Sequence, residues 1–424
     1  MKDRVVITGL GVAAPNGVGV EAFNKAIQSG TSGIRFFQEL ADLGFSCCIA
    51  GQPIVSEEKK REYLSELQLR NFNSSGILYG VMAGIEAWRD AGLDDSSKIV
   101  DFDSGTIFGT GTSGIEKFRE AIYRVDDKQV RRLGSTVVSQ IMASGVSAYL
   151  GGILALGNQV TTNSSACITG VESILMGYDR IKSGRAKRML VGSCSDHGPY
   201  LWGGFDAMRG VLNYKHNDNP TAGSRPLSAT ASGFIPGSGG GAMVIESLES
   251  ANGRGAEIYA EILGGEINSG GHRDGGTMTA PNSNAVQRCI RNALTNANIQ
   301  ASEIDAINGH LTATIKDATE IKNWTEALNL SGPNFPYINT LKSMVGHCLA
   351  AGASIECVAS VLQIKYGFIF PNINCEDLNE EIATLINPEK IPQTIIRKDI
   401  NILAKASFGF GDVNACIIFK KYNS

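Results

Sequence analysis

The chain has 424 residues, 43% of them hydrophobic, with 38 basic and 42 acidic side chains and a formal net charge of −4. That length buries a large core and corresponds to roughly two to three domains, while the slightly acidic balance argues against a nucleic-acid surface or a polybasic membrane patch. No stretch is apolar for long enough to span a bilayer, and nine cysteines, an odd number without a Cys-x-x-Cys pair, argue against a disulfide framework or a zinc site and for a reducing compartment.

In chain order, Arg4–Thr8 reads as the first strand. The surrounding run from Val5 to Ala14 is broken by glycine and ends at Pro15, so it reads as strand plus turn and not as a signal peptide. It contains Gly9-x-Gly11-x-x-Ala14, a formal match to a dinucleotide-binding fingerprint. Pro15 and Asn16 follow at once, and the next helical pattern starts near Val20. A glycine turn at the end of a core strand is therefore the expectation, and a nucleotide-dependent oxidoreductase rests on that match alone. A helix over Gly76–Ala91, a strand over Ser104–Gly109 and a helix over Gln140–Leu150 come next. Gln159-Val160-Thr161-Thr162 is a short β-favouring run. After it, Ile168, Val171, Ile174, Leu175, Tyr178 and Ile181 recur at helical spacing until Gly184. Cys167 thus stands where a strand turns into the helix Cys167–Lys182. Aligned N–H groups at such a place stabilise a thiolate; the alternative is a small buried apolar residue, as the other eight cysteines could be.

Further strands are expected over Arg188–Ser193, Gly241–Glu246, Ile258–Gly264, Ile304–Asn308 and Asn401–Ser407, and further helices over Asn284–Thr295 and His347–Tyr366. Ser238-Gly239-Gly240-Gly241 lacks the Lys-Ser/Thr of a phosphate loop and leads into a strand, so it reads as a close-approach turn beside the site. Strands alternating with helices predict an α/β chain of packed sheets with helical cover. No internal repeat is visible, and the polar run Ser250 to Gly255 is the best internal boundary.

Five histidines exist in the chain. His310 ends the apolar strand of Asp305-Ala306-Ile307-Asn308-Gly309-His310. His347 closes Lys342-Ser343-Met344-Val345-Gly346-His347, just before an Ala/Gly-rich helix. Both lie at element ends, where chemistry-bearing side chains tend to be presented. A third glycine-rich run, Ser407-Phe408-Gly409-Phe410-Gly411-Asp412, has backbone N–H groups that could face a site.

These runs, in this order, resemble the β-ketoacyl-acyl carrier protein synthases, and the elongating Cys-His-His type (ketosynthase II) most closely. The resemblance covers nearly the whole chain and includes Gly203 to Arg209 and Ser224-Arg225-Pro226-Leu227. It implies a five-layer αβαβα thiolase-like fold of two similar halves, 1–253 carrying Cys167 and 254–424 carrying both histidines. It implies a decarboxylative condensation of a malonyl thioester with an acyl group held on Cys167, in fatty acid or related polyene or polyketide synthesis. Cys167, His310, His347 and Lys342 would be catalytic, with the N–H groups of Cys167 and Phe410 as oxyanion hole. Thr112, Val137, Phe205, Thr312, Thr314, Phe408 and Phe410 would bind substrate, with Thr112 and Val137 at the end of the acyl pocket. Arg131, Arg132 and Arg209 would dock the acidic acyl carrier protein, whose phosphopantetheine arm carries the substrates; Arg124 and Lys128 are nearby in sequence, with a solvated face as the alternative. Glu320 and Glu356 would either support the catalytic network or lie on solvated helix faces. No bound cofactor, no metal, no nucleic acid and no membrane are expected, and a cytoplasmic homodimer is the expected form, a heterodimer with a related subunit being possible.

Three departures from the family pattern stand out. The usual glycine after the first histidine is Leu311, and the loop from His310 to Asp317 is one residue short. The acidic residue before Ala242-Met243-Val244-Ile245 is Ser238. The C-terminal turn reads Gly411-Asp412-Val413-Asn414. The first of these motivates an alternative: a non-catalytic, acyl-binding partner of another ketosynthase, like a chain-length factor.

Overall fold

A computed structural model describes residues 4–271, 278–279 and 281–423. One eleven-stranded sheet runs through it. Ten of its strands are β1 (Val5–Ala14), β2 (Ser104–Thr110), β3 (Val160–Thr161), β4 (Arg188–Ser195), β5 (Gly239–Ser247), β6 (Ala260–Ser269), β7 (Ala306–Asn308), β8 (Tyr337–Asn339), β9 (Ile402–Gly409) and β10 (Val413–Lys421). Their spatial order is β8-β7-β9-β10-β6-β1-β5-β4-β2-β3, with the short Gly17–Val18 strand paired to β1. Outward from the β1–β6 junction, each half has the same order: β1-β5-β4-β2-β3 in one and β6-β10-β9-β7-β8 in the other. The first of the five runs antiparallel to the second, the second antiparallel to the third, and the last three are parallel. The chain is therefore an internal structural repeat, although its sequence shows none.

The helices repeat as well. α1 (Ser75–Asp90) and α2 (Gly145–Ile153) cover the outer face of the first half; α4 (Ser283–Ala297) and α5 (Asp317–Leu328) cover that of the second. α3 (Thr169–Lys182) and α6 (Gly352–Tyr366) pack on each other and on strands of both halves. The result is five layers, α1/α2, strands, α3/α6, strands, α4/α5, with the largest apolar cluster around the central helices. An element hydrophobic on all sides belongs in such a middle layer, and all but the last two residues of α6 are buried.

Local chemistry accounts for several of these placements. A Cβ on Gly9 would lie 2.1 Å from the Ala87 carbonyl oxygen, and one on Gly11 1.9 Å from that of Ala83. Those glycines seat α1 on β1, within a strand that continues to Ala14 without a turn, so the fingerprint match is a helix-packing feature. Gly240 and Gly241 do the same for β5: a Cβ on each would lie 2.7 Å from the Tyr79 oxygen of α1 and 2.6 Å from the Ile355 nitrogen of α6. The close approach expected at Ser238–Gly241 is present, but Gly239–Gly241 already belong to the strand and form no turn. The expected helix Gln140–Leu150 is two helices, Val137–Ile141 and α2. The break falls where Gly145 packs against the Ser139 carbonyl, 2.6 Å from its would-be Cβ. Strands β8 and β10 and helix α5 were not among the expected elements.

Candidate active site

Cys167 occupies a 3₁₀ turn, Ala166–Ile168, ahead of α3. Side chains tie this turn in place. Thr169 Oγ1 accepts the Ser165 N–H at 2.9 Å and donates to the Ala166 carbonyl at 2.7 Å. Asn163 Nδ2 donates to Glu172 at 2.8 Å. Ala166 itself is left-handed, with φ 48°, a conformation costing a non-glycine residue about 1–3 kcal/mol. Gly170 brings α3 against α6, its would-be Cβ 2.4 Å from the Ser354 nitrogen. This close approach sets the cysteine turn beside the segment that leads into α6.

That segment carries His347, whose N–H donates to Ile235 at 2.7 Å and whose carbonyl accepts from Gly237 at 2.9 Å. Its ring is equally fixed. The Leu349 N–H donates to Nδ1 at 3.3 Å, so Nδ1 is the acceptor and the proton of the neutral ring sits on Nε2. That nitrogen lies 3.1 Å from Cys167 Sγ. His310 follows β7, its ring centroid 5.4 Å from that of His347 and nearly perpendicular to it. One donor atom from each of Cys167, His310 and His347 lies within 4.8 Å of the others. The group has the composition of a metal site, but its details do not fit one. A ligating histidine donates its second N–H outward, whereas His347 Nδ1 receives a hydrogen and Nε2 is thereby occupied.

Around this cluster the charges are buried and linked. Lys342 and Glu356 are 2% and 1% exposed, and the ammonium of Lys342 pairs with Oε1 of Glu356. Oε2 of the same carboxylate pairs with Lys405 at 2.8 Å. Among the described residues, His310 Nδ1 has no hydrogen-bond partner, and Lys342 bears on that ring as a nearby charge. Glu320, the other carboxylate considered, is also buried. Its two oxygens accept the N–H groups of His310 and Leu311, both at 2.7 Å, and burial pushes its carboxyl up to about 7. Neither acid lies on a solvated face. Burial, Lys342 and Lys405 hold both imidazoles well below their usual value, His347 adding to the effect on His310. Both rings are neutral donors at physiological pH. Burial pushes the Cys167 thiol up to about 11, opposed by Lys342 and by the N–H of Phe410.

The cluster lies in a cavity of about 720 Å³. Thr112, Phe205, Arg209, Thr312, Thr314, Phe408 and Phe410 line it with Cys167, His310 and His347. Phe205 packs edge-on to Phe234 at 5.7 Å and lies 6.1 Å from Phe410; Phe234 in turn stands 5.1 Å from the His347 ring. Val137 is buried in the helix Val137–Ile141 and does not line the cavity. Arg131 and Arg132 are exposed in a turn beyond the helix Ile115–Asp126, and Arg209 is exposed at the cavity mouth. The expectations named neither Phe234 nor Lys405. Lys405 did leave a signal: it is the one charged residue in the apolar run Ile402-Leu403-Ala404-Lys405-Ala406, where alternation points it inward.

The family descriptions "Beta-ketoacyl synthase, N-terminal domain" and "Beta-ketoacyl synthase, C-terminal domain" match residues 2–251 and 259–376. The chain is 32% identical over 422 residues to 3-oxoacyl-[acyl-carrier-protein] synthase 1 of Escherichia coli (strain K12), covering 99% of each. It is 31% identical over 428 residues to 3-oxoacyl-[acyl-carrier-protein] synthase 2 of Vibrio harveyi, again covering 99% of each. Among solved structures, it is similar to a chain of a type II PKS acyl-carrier protein in complex with its ketosynthase bound to the hexaketide (TM-score 0.87, 28% identity, 100% of both chains). The ishigamide ketosynthase/chain length factor gives the same TM-score, identity and coverage.

Proposed function

The chain belongs to the β-ketoacyl synthase family, and from that premise we propose that Cys167 is its acyl-carrying nucleophile and His310 and His347 its N–H donors. The activity is that of a 3-oxoacyl-[acyl-carrier-protein] synthase, an acyltransferase that forms a carbon–carbon bond between an acyl group and a malonyl thioester. The observation that carries the assignment of roles is the 3.1 Å contact between Cys167 Sγ and an Nε2–H that the Leu349 amide fixes in place.

The chemistry runs in two stages. Cys167 sulfur attacks the carbonyl of an acyl thioester on the phosphopantetheine arm. The new C–S bond forms, the arm leaves as its thiol with the proton of Cys167, and the transient oxyanion faces the N–H groups of Cys167 and Phe410. Covalent capture divides one difficult step into two easier ones. A malonyl thioester then presents its carbonyl to the Nε2–H groups of His310 and His347. The bond to the carboxylate breaks, CO2 leaves, and its electron pair becomes an enolate that the two donors stabilise, each such donor contributing about 3–4 kcal/mol. The enolate carbon attacks the acyl carbonyl, and Cys167 leaves as thiolate. Thr312 and Thr314 at the cavity wall would hold the arm, Phe205, Phe408 and Phe410 the acyl chain, and Thr112 the far end of its pocket.

Carrier-protein docking falls to one face. Arg209 stands at the mouth, and the helix Pro199–Asp206 just before it packs on the helix Ile115–Asp126 that leads to Arg131 and Arg132. Arg119 over the Tyr200 ring, at 4.3 Å, joins those two helices. Dimerisation would use the outer edge strand β3, because an unpaired edge flanked by exposed apolar side chains seeks a partner. Val160 is 40% exposed there, and Phe102, 72% exposed, lies nearby. We place the division between the halves at residues 253 and 254, after the helix Leu248–Gly253 that ends the first repeat. All nine cysteines are unpaired, which suits a cytoplasmic enzyme. The alternative of a non-catalytic partner gains nothing from the structure, since Leu311 and the short loop still leave His310 in the cluster.

Mass spectrometry after exposure to acyl-carrier proteins tests the reading. A covalent acyl adduct on Cys167, absent in Cys167→Ala, together with CO2 release from malonyl-carrier protein, is expected. No adduct and no CO2 across a range of donors would overturn it.

A further inference from the structure

Lys405 is fully buried. It lies on β9 with Leu403 and Ser407 on the face turned to α6, between Asn308 on β7 and Ile417 on β10. Its ammonium reaches Oε2 of Glu356 at 2.8 Å, Ser407 Oγ at 3.0 Å and the Ala406 carbonyl. Oε1 of the same carboxylate already holds Lys342. One buried carboxylate thus serves two buried ammonium groups, and the cluster carries one positive charge more than it neutralises. Taking an ammonium out of water is costly, and an apolar side chain of similar volume would fill the same space without that cost. A second cation sharing the first one's counter-ion needs another anion.

The elements packed around the cluster supply few. Glu320 on α5 is buried and its carboxyl is held up near neutrality. His310 and His347 are neutral. Cys357 on α6 and Cys416 on β10 are thiols pushed up to about 12, and Cys348 is raised further, burial being the main cause for all three. Asp317 on α5 is taken up by the N–H groups of Leu227, Thr312 and Ala313, and Asp412 at the cavity wall accepts the Asn282 N–H. Among the described residues that leaves Cys167, which opens into the cavity and is acted on by the charge of Lys342. It is the one site in this shell whose reaction calls for a negative charge.

We infer that Lys405 is a positioning residue for acyl transfer: by taking half of Glu356 it leaves Lys342 under-neutralised, and the surplus positive charge favours the thiolate of Cys167. It touches no substrate and acts through Glu356 and Lys342. This rests on the reading of Cys167 as the nucleophile.

The test is the pH dependence of Cys167 alkylation by iodoacetamide, followed by peptide mass spectrometry between pH 7 and pH 12, a range that spans the raised thiol. Lys405→Met removes the charge at similar volume. It should move the alkylation midpoint upward and slow labelling about tenfold at pH 7, one pH unit being a tenfold change in thiolate. Lys405→Arg should keep the wild-type profile. Lys405→Met/Glu356→Gln restores a single net positive charge and should bring the midpoint back toward wild type. A purely structural role predicts no such ordering by charge count. If Lys405→Met folds with the wild-type profile, or the double variant labels no faster than Lys405→Met, the inference is wrong. Should Lys405→Met fail to fold, the Arg and double variants decide, and a shifted midpoint in either overturns the inference. Iodoacetamide needs no carrier protein. Failure of the wild type to take an acyl group therefore counts against the proposed function, while the ordering of the variants still decides the role of Lys405.

Discussion

Glu320→Gln is the substitution whose consequences the structure specifies most fully. Both carboxyl oxygens accept backbone N–H groups, from His310 and Leu311 at 2.7 Å each, in a buried setting, and a hydroxyl oxygen of the protonated acid still accepts where an amide NH2 does not. Leu311 needs that restraint, because its φ of 29° is left-handed and carries a branched side chain. A glutamine accepts one of the two N–H groups and turns its own NH2 toward the other. One bond is lost and a buried donor is stranded, at a cost of about 2–3 kcal/mol. Unfolding entropy for 424 residues is about 0.9 kcal/mol/K, so the melting temperature should fall about 3 °C at pH 5.5. The pH dependence has a definite sign. Burial raises the Glu320 carboxyl to about 7, above its unfolded value near 4.5. Its contribution is therefore fully present below pH 4.5 and is lost as pH rises through 7, by about 3 kcal/mol. Glutamine does not titrate, so the gap between wild type and variant should narrow from pH 5.5 to pH 8. With the roles proposed above, activity should split: malonyl-carrier protein decarboxylation, assigned to His310, should fall about tenfold, while acylation of Cys167 should change less than twofold. Calorimetry at the two pH values and the two half-reactions read these outcomes. An unchanged melting temperature with unchanged decarboxylation, or a gap that widens with pH, would refute the restraint attributed to Glu320.

Two further outcomes follow from the same geometry. Thr112 lines the cavity and Val137 does not, so Thr112→Phe should shorten the longest acyl group found on Cys167, losing about 0.8 kcal/mol, roughly fourfold, for each methylene denied burial; Val137→Phe should change the adduct profile less, and equal effects would place the pocket end elsewhere. His310 and His347 are held below 6.5 in the folded chain, so their contribution to stability is present above pH 6.5 and is lost as pH falls through their folded values. Denaturation midpoints from pH 7 to pH 5 should therefore fall less steeply in His347→Gln than in wild type, and identical slopes would contradict the burial argument.

The parts of this molecule legible in the sequence are those fixed over a few residues. Cys167 between a β-favouring run and a helical period, His310 at the end of an apolar strand and Gly346-His347 before a small-residue helix are all local patterns. The strand expectations near them agree with the structure to within a few residues, β1 and β6 excepted. What escaped depends on partners far along the chain. Glu356 is buried because Lys342 and Lys405 converge on it from two other segments, and nothing local separates it from a solvated helix carboxylate. β10 has no alternating pattern, since both its faces are covered, one by the central helices and one by α4. The twofold repeat escaped for a similar reason: it is a repeat of strand order and helix position, carried by different side chains in each half.

That repeat also clarifies the strained turn at Cys167. The turn Ala166–Ile168 ahead of α3 has its counterpart in Leu349–Ala351 ahead of α6, and the two pack together. Each begins with a left-handed non-glycine residue, Ala166 at φ 48° and Leu349 at φ 52°. In the first half the next residue is Cys167; in the second it is Ala350, which has no reactive atom. The strain therefore belongs to the way either half turns from strand into central helix, and it does not by itself mark a nucleophile. The fold supplies two equivalent turns, and side chains divide the work between them. One turn displays a sulfur into the cavity. The other uses the N–H of its strained residue, Leu349, to hold His347 in the tautomer whose remaining hydrogen points at that sulfur. A mutation that relaxes Leu349 should thus act through the histidine, not through packing, and two equivalent turns yield an asymmetric site through the side chains they carry.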